Sequence, residues 1–397
     1  MKIKQIKKFK YRERIKKRHK YRRMSKIIGI KPVKGNKISF YSNGDRVYDS
    51  MLEEISKAKK NINLGTYIFN DDIVGKVFKK ALIKKAKTGI KINIIYDAIG
   101  SRKTHNSFIK EMKESGIELI KYHTILSRKI LKANQRYHMK LLIIDGKVGF
   151  IGGMNISQNY AGKKYQGYLW RDLMTKIEGP AVGDMQTMFL ITWLKESNKP
   201  IKDELFYFPK LPAKGNTNIV VIGNQFYKGH IKLRNTFISL CENAEKSIYI
   251  ESAYFLPDNQ IRKALREAKK RGVDVKIIIP RNTDFKPLYY ARRATYCKSL
   301  TAGIEIYEYF ERTLHTKLAI FDNQSVVIGS ANFDYRSFFL NVEGSIIIEG
   351  EKIATEATTV FLHDLQTCDK VNINKFKARP FFIKLIEKIL FLFRHLL

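Results

Sequence analysis

The sequence predicts a duplicated α/β fold. Two domains in tandem, each a mixed β-sheet flanked by helices, should meet at a pseudo-twofold interface that holds the functional residues. Three observations carry this prediction. Helical and strand periodicities alternate along the chain. The order of elements in the first half recurs in the second. Both halves also close on one pattern, HxKxxxxDxxxxxxG[GS]xN, in "YHMKLLIIDGKVGFIGGMN" (Tyr137 to Asn155) and "LHTKLAIFDNQSVVIGSAN" (Leu314 to Asn332).

From about Ile38, "SMLEEISKAKKNINLGTYIFN" reads as a helix followed by a strand. "IVGKVFKKALIKKAKTGIKINIIYDAIGS" repeats this with a stop at Gly89 and an apolar run Ile90 to Tyr96. Another helix stops near Gly116, before the strand "IELIKYH". The second half replays the series. "TFISLCENAEKSIYIESAYFLP" aligns Tyr254 with Tyr67, "IRKALREAKKRGVDVKIIIP" aligns Gly272 with Gly89, and "LTAGIEIYEYF" aligns Gly303 with Gly116. The 177 residues between His138 and His315 make this a domain duplication, not a short-period solenoid. The Pro-rich, polar stretch "KESNKPIKDELFYFPKLPAKGN" marks the boundary. The expected units are a basic arm (1–37), two α/β domains (38–205 and 206–372) and a terminal amphipathic helix (373–397).

Charge is the compositional outlier, with 75 Lys+Arg against 37 Asp+Glu and a net +38. Met1 to Lys26 alone carries fourteen Lys/Arg and one acid, Glu13. Such a chain is drawn to polyanions, a nucleic acid or an anionic membrane surface. Cys241, Cys297 and Cys368 form no CxxC pair, which speaks against a disulfide framework or zinc site and for a reducing compartment. No secretory h-region follows the basic start, and no run of 18 apolar residues is present. The terminal "RPFFIKLIEKILFLFRHLL" puts Lys384, Glu387, Lys388 and His395 on one helical stripe and fills the rest with Phe, Leu and Ile, the pattern of an interfacial helix.

The repeated pattern points to phosphodiester chemistry. Residues i and i+2 of a strand share a face, so His138 projects beside Lys140, and His315 beside Lys317. "IIDGK" signals a hairpin turn, which places Asp145 (and Asp322) at the turn and suits it to capping rather than to touching substrate. Gly152 and Gly153, like Gly329 and Ser330, leave room for a ligand to approach the backbone, where Asn155 and Asn332 offer amide donors. One imidazole can attack phosphorus while the other protonates the leaving alkoxide. Two lysines and two amides would neutralise the non-bridging oxygens, with no metal and no cofactor required. Asp172 and Glu343, 34 and 28 residues after the two histidines, are the expected orienting carboxylates, one for each site in its own repeat.

These residues resemble the phospholipase D superfamily, whose two HxKxxxxD motifs meet at a domain interface. "IIYDAIGSRK", "WRDLMTKIEGPAV", "ESAYFLPD" and "HTKLAIFDNQSVVIGSANFDYRSFFLNVE" resemble more closely the bacterial cardiolipin synthases, over about Ile38 to Asp369. The resemblance implies phosphatidyl transfer between two phosphatidylglycerols through a phosphatidyl-histidine. It further implies His138 as nucleophile, His315 as general acid and then base, and catalytic sets His138-Lys140-Asp145 and His315-Lys317-Asp322. Lys140, Lys317, Asn155 and Asn332 would be phosphate ligands, and Asp172 and Glu343 histidine orienters. The implied partner is an anionic phospholipid membrane, with the protein peripheral on the cytoplasmic face of a bacterial cell. Many members of that family begin with hydrophobic spanning helices, whereas this sequence begins with the basic arm, which could attach electrostatically. Two alternatives stand beside this: a phospholipase D-type nuclease or phospholipid hydrolase, and a binding scaffold with a dead site. Paired motifs and the apolar tail speak against nucleic acid, and complete catalytic sets speak against the scaffold.

Overall fold

The computed structural model describes residues 30–123, 134–198, 200, 203–224, 231–283 and 285–395. The first half contributes strands β1 (Val33–Tyr41), β2 (Asn61–Thr66), β3 (Lys91–Asp97), β4 (Glu118–Tyr122), β5 (Leu141–Ile144), β6 (Val148–Gly152) and β7 (Met174–Glu178). The second contributes β8 (Thr217–Gly223), β9 (Ser247–Ser252), β10 (Asp274–Pro280), β11 (Glu305–Tyr309), β12 (Lys317–Phe321), β13 (Ser325–Gly329) and β14 (Gly344–Glu349), with a short β15 (Cys368–Lys370).

All fifteen form one sheet, in the order β15-β11-β10-β9-β12-β13-β14-β8-β1-β7-β6-β5-β2-β3-β4. From the centre outward the order is β1-β7-β6-β5-β2-β3-β4 one way and β8-β14-β13-β12-β9-β10-β11 the other, the same arrangement twice. Each half is mixed: β2, β3 and β4 run parallel to one another, as do β9, β10 and β11, and the hairpin strands are antiparallel. The halves join where β1 pairs antiparallel with β8, Val33 opposite Ile219 and Asn36 opposite Thr217. A sheet per domain was expected, and a continuous one is found. Val33–Lys37, assigned to the basic arm from composition, is therefore strand. Lys, Gly and Asn dilute its apolar alternation, so its central place does not register as periodicity. The rest of the arm, 1–29, lies outside the described residues.

Successive strand residues serve opposite faces. Leu141 and Ile143 enter a core shared by the two halves, whereas Leu142 and Ile144 enter a core private to the first half. Leu318 and Ile320 likewise face the shared core, and Ala319 and Phe321 the second half's own. Helices Val182–Ser197 and Glu351–Leu365 cover the shared face, through Met185, Met188 and Phe189 and through Ala354, Ala357 and Phe361. The first is buried on nearly every side, as a helix between layers must be. The four glycine stops paired in the sequence, Gly89, Gly116, Gly272 and Gly303, all adopt φ between +81° and +91°, the left-handed cap that ends a helix before a strand.

Candidate active site

Each HxK sequence leads into a hairpin. The connections are three residues long, Asp145 to Lys147 and Asp322 to Gln324, and their first two residues take positive φ, Asp145-Gly146 (53° and 63°) and Asp322-Asn323 (54° and 51°), a region that short polar or absent side chains tolerate best. The Asp145 carboxylate accepts from the amides of Lys59 (2.8 Å), Lys60 (2.7 Å) and Asn61 (3.0 Å). Asp322 does the same for Glu245 (3.0 Å), Lys246 (2.7 Å) and Ser247 (3.1 Å). These acids clamp the turn to the start of the neighbouring strand. At roughly 3.3 Å per residue they lie about 16 Å along the chain from Lys140 and Lys317. Asp145 and Asp322, grouped with the catalytic residues by family resemblance, are fasteners of the hairpins.

The other end of each hairpin crosses to the opposite half. Just before β5, His138 N donates to Val342 O (2.9 Å) and Val342 N to Arg136 O (2.8 Å). Just before β12, His315 N donates to Arg171 O (2.7 Å) and Arg171 N to Thr313 O (2.9 Å). These are isolated parallel bridges, Tyr137 with Val342 and Arg171 with Leu314. Each bridge delivers the next residue of one half, an acid, to the histidine of the other. Glu343 Oε1 lies 2.9 Å from His138 Nδ1, and Asp172 Oδ2 lies 2.6 Å from His315 Nδ1. The expected pairing within each repeat is thus overturned: the carboxylates are exchanged across the pseudo-twofold. Sequence distance put each acid with the preceding histidine, whereas the inter-half bridges decide the partner.

The two sets are buried, His138 at 9%, Lys140 at 1%, His315 at 8% and Lys317 at 3% exposure. Each carboxylate is an acceptor, so it fixes the proton on Nδ1 and leaves Nε2 with its lone pair. The environments then differ. Glu343 also accepts from the hydroxyls of Ser330 and Ser337; burial pushes its pKa up, but His138, Lys140 and the Ser330 hydroxyl prevail and hold it below the ordinary value. Asp172 has the Leu173 amide (2.7 Å) beside His315, and burial raises it to about 6. Burial likewise lowers His138 to about 4, against the pull of Glu343. His138 is therefore a neutral imidazole facing an ionised carboxylate, whereas burial leaves the Asp172 carboxyl beside His315 much closer to neutrality in its own titration.

The lysines close the site. Lys140 Nζ donates to His138 O (2.5 Å), and among the described residues no carboxylate lies within ion-pair distance of it. Burial pushes its pKa well down, so an arriving anion would stabilise its charged form. Lys317 Nζ reaches His315 Nδ1 (2.8 Å) and the His315 carbonyl. Asn155 is used differently from expectation: its Nδ2 donates to the Tyr160 hydroxyl (2.7 Å) and its Oδ1 accepts from Ile68 N (3.0 Å). It supports Tyr160, whose ring stands edge-on 5.3 Å from His315. Asn332 is buried with its Oδ1 lacking a partner among the described residues, so its amide keeps polar capacity at the site.

The glycines make room for protein, not ligand. A Cβ on Gly153 would lie 2.1 Å from Asp172 Oδ1, and one on Gly152 would lie 2.3 Å from the Leu173 carbonyl. On Gly329 it would lie 2.3 Å from the Gly344 carbonyl. Gly153→Ala should therefore displace Asp172 and lower turnover about 10- to 100-fold, as loss of an orienting partner does. The check is kinetics alongside a thermal melt; turnover at the wild-type level would refute the assignment.

Several site residues were not singled out from the sequence. Tyr67 lies 5.1 Å from the His138 ring, and Trp170 5.7 Å from that of His315. Arg171 forms an ion pair with Asp364 (2.7 Å), tying the segment that carries Asp172 to helix Glu351–Leu365. Tyr67 and Trp170 fall in segments already matched or quoted, but Asp364 lies 192 residues beyond Asp172 and carries no local signal.

Known proteins resemble this chain in sequence and in fold. A family model described as "Cardiolipin synthase, PLD-like domain" matches residues 51–182 and 237–365, one match per half. A cardiolipin synthase of Geobacillus sp. (strain WCH70) is 35% identical over 371 residues, covering 91% of this chain and 73% of that protein. One from Clostridium perfringens (strain SM101 / Type A) is 34% identical over 361 residues, covering 89% and 76%. Among solved structures, the phosphatidylserine synthase of Haemophilus influenzae Rd KW20 superposes with a TM-score of 0.72 at 15% identity, over 94% of this chain and 99% of that one, a likeness of fold. With the duplicated hairpins, the crossed carboxylates and both halves matched, the chain belongs to the cardiolipin synthase family of phospholipase D-like proteins.

Proposed function

We propose that the chain is a phosphatidyltransferase that makes cardiolipin from two phosphatidylglycerols. The observation that carries this is the pair of buried imidazoles, each fixed at Nδ1 by the other half's carboxylate and flanked by a buried lysine. His138 Nε2 attacks the phosphorus of the first phosphatidylglycerol. The bond from phosphorus to the headgroup glycerol oxygen breaks, and the His315 imidazolium gives its proton to that oxygen, releasing glycerol. His315, now neutral, takes the proton from a headgroup hydroxyl of the second phosphatidylglycerol. That oxygen displaces His138 from phosphorus and leaves cardiolipin. Lys140 and Lys317 bind the non-bridging oxygens, with Asn332 at the rim, and a buried ammonium is stabilised by such an anion.

The assignment of roles follows the electrostatics. A neutral imidazole with a free Nε2, as on His138, suits the nucleophile; the second imidazole, His315, held by a carboxylate that can stabilise its protonated form, is left for the acid. The protein would act peripherally at the cytoplasmic face of the membrane; among the described residues no helix is long and apolar enough to cross it.

The test is product analysis with purified protein and phosphatidylglycerol vesicles, with and without phosphatidylethanolamine. Cardiolipin and glycerol should appear in equal amounts. Phosphatidic acid as the sole lipid product would make the protein a hydrolase, and DNA cleavage with lipid untouched would make it a nuclease.

A further inference from the structure

The C-terminal helix Phe381–Leu392 is docked with its polarity inverted. Its one acid, Glu387, is 2% exposed and faces inward, paired with Arg293 of helix Lys286–Arg293 (3.3 Å) and with Arg379. The sequence stripe had placed Glu387 with Lys384 and Lys388 on an outer polar face. The guanidiniums beneath it explain the difference, because a buried carboxylate needs paired cations. Leu390 and Phe391 pack on Leu256, Leu288 and Ala291. Seven other apolar side chains point away from the protein, Phe381 at 78%, Phe382 at 60% and Leu392 at 69% exposure, with Leu385, Ile386, Ile389 and Phe393 also exposed. Seven of the fourteen exposed large apolar side chains among the described residues thus fall within thirteen consecutive positions, more than scattered surface leucines explain.

The patch adjoins the site. His395 stacks edge-on to Tyr335 (4.4 Å), three residues beyond Asn332. Tyr254, which packs on the same apolar cluster as Leu390 and Phe391, follows Ala253, whose amide bonds the carbonyl of Thr316 between His315 and Lys317. Cations rim the patch: Arg262 and Arg394 lie over the Phe391 ring at 5.2 and 4.6 Å, and Lys384 and Lys388 are on the helix itself.

We infer that this helix is a membrane seat: Glu387 clamps it to the protein so that its apolar face enters an anionic lipid bilayer beside the active-site mouth. The lipid occupant is favoured over a second copy of the chain by charge, since the rim is basic within a +38 protein and would repel its own duplicate. The helix lies along the interface, with cations at headgroup level and Phe, Leu and Ile among the first acyl carbons. The docking holds the mouth where a headgroup phosphate enters without leaving the bilayer. The last point rests on the reading that the substrate is a membrane phospholipid.

The test uses the full chain carrying Phe382→Glu, Leu385→Glu and Ile389→Glu, all exposed and so compatible with folding. Vesicle flotation on phosphatidylglycerol is run in 1 M salt, where the basic arm is screened to a Debye length of about 3 Å. Partitioning should fall about tenfold or more against wild type. Turnover of vesicular phosphatidylglycerol should fall with it, while turnover of short-chain, monomeric phosphatidylglycerol stays at the wild-type level. Equal flotation of variant and wild type overturns the seat. So does a concentration-dependent dimer that the variant abolishes while flotation is unchanged, which assigns the face to a second copy. Wild-type protein that floats yet turns over neither substrate retains the seat and instead removes the proposed activity.

Discussion

His138→Ala abolishes phosphatidyl transfer, a loss expected to exceed about 10⁴-fold, because the imidazole assigned to bond phosphorus is gone. His315→Ala loses about 10²- to 10⁴-fold on phosphatidylglycerol, the range of a general acid. The two separate on a phosphatidyl ester whose leaving group departs without protonation, such as a p-nitrophenyl ester. With it, His315→Ala releases one equivalent of nitrophenol in a burst and then stalls, since the base for the second step is gone. The phosphatidyl group should then be found on His138 by mass spectrometry of acid-sensitive, base-stable peptides. His138→Ala gives no burst. A burst in His138→Ala and none in His315→Ala would reverse the roles.

The crossed carboxylates give the second large effect. Because Asp172 holds His315 and Glu343 holds His138, Asp172→Asn should behave as a weakened His315 variant although it belongs to the half that carries His138. Each amide replacement fixes the wrong tautomer and should lower turnover of phosphatidylglycerol about 10²- to 10⁴-fold. On the activated ester, Asp172→Asn should keep the burst rate and Glu343→Gln should lose it. The opposite result would restore the pairing within each repeat.

The pH profile carries the same asymmetry. Burial raises Asp172 to about 6, so below that pH its carboxyl is neutral and no longer stabilises the His315 imidazolium. Activity should fall on the acid side through pH 6, and fall again near 4 as His138 gains a proton and loses its lone pair. In Asp172→Asn the step near 6 disappears and the step near 4 remains. A wild-type profile flat from pH 7 to 5 would contradict the assignment of Asp172.

Legibility from sequence varied with the reach of the interaction. The hairpins were readable because a continuous apolar run that ends in a turn such as "DGK" is a local signal, and the four Gly stops likewise required nothing beyond their own helix ends. The strand Val33–Tyr41 was only half recognised, since Lys34, Gly35, Asn36 and Lys37 blur its pattern while its position between two halves keeps it in the sheet. Gly153 was read as space for a ligand, and it is space for a carboxylate 19 residues on. Asn155 was read as a donor to phosphate, and its amide is engaged by Tyr160.

The sequence alone determined the chemistry: two HxK sets in a duplicated α/β chain, without cysteine pairs, on a basic background. Those features are set by residue type and by the two-residue period of a strand, which needs no partner to be defined. The tertiary structure decided what depends on partners far along the chain. It exchanged Asp172 and Glu343 between the halves through the bridges at Arg171 and Val342. It made one histidine neutral by burying it, and kept the acid beside it ionised with donors that include the Ser330 hydroxyl. It also turned Glu387 inward, because Arg293 and Arg379 wait beneath it. Protonation state and facing direction are set by neighbours within a few ångströms, and those neighbours come from segments that only folding brings together.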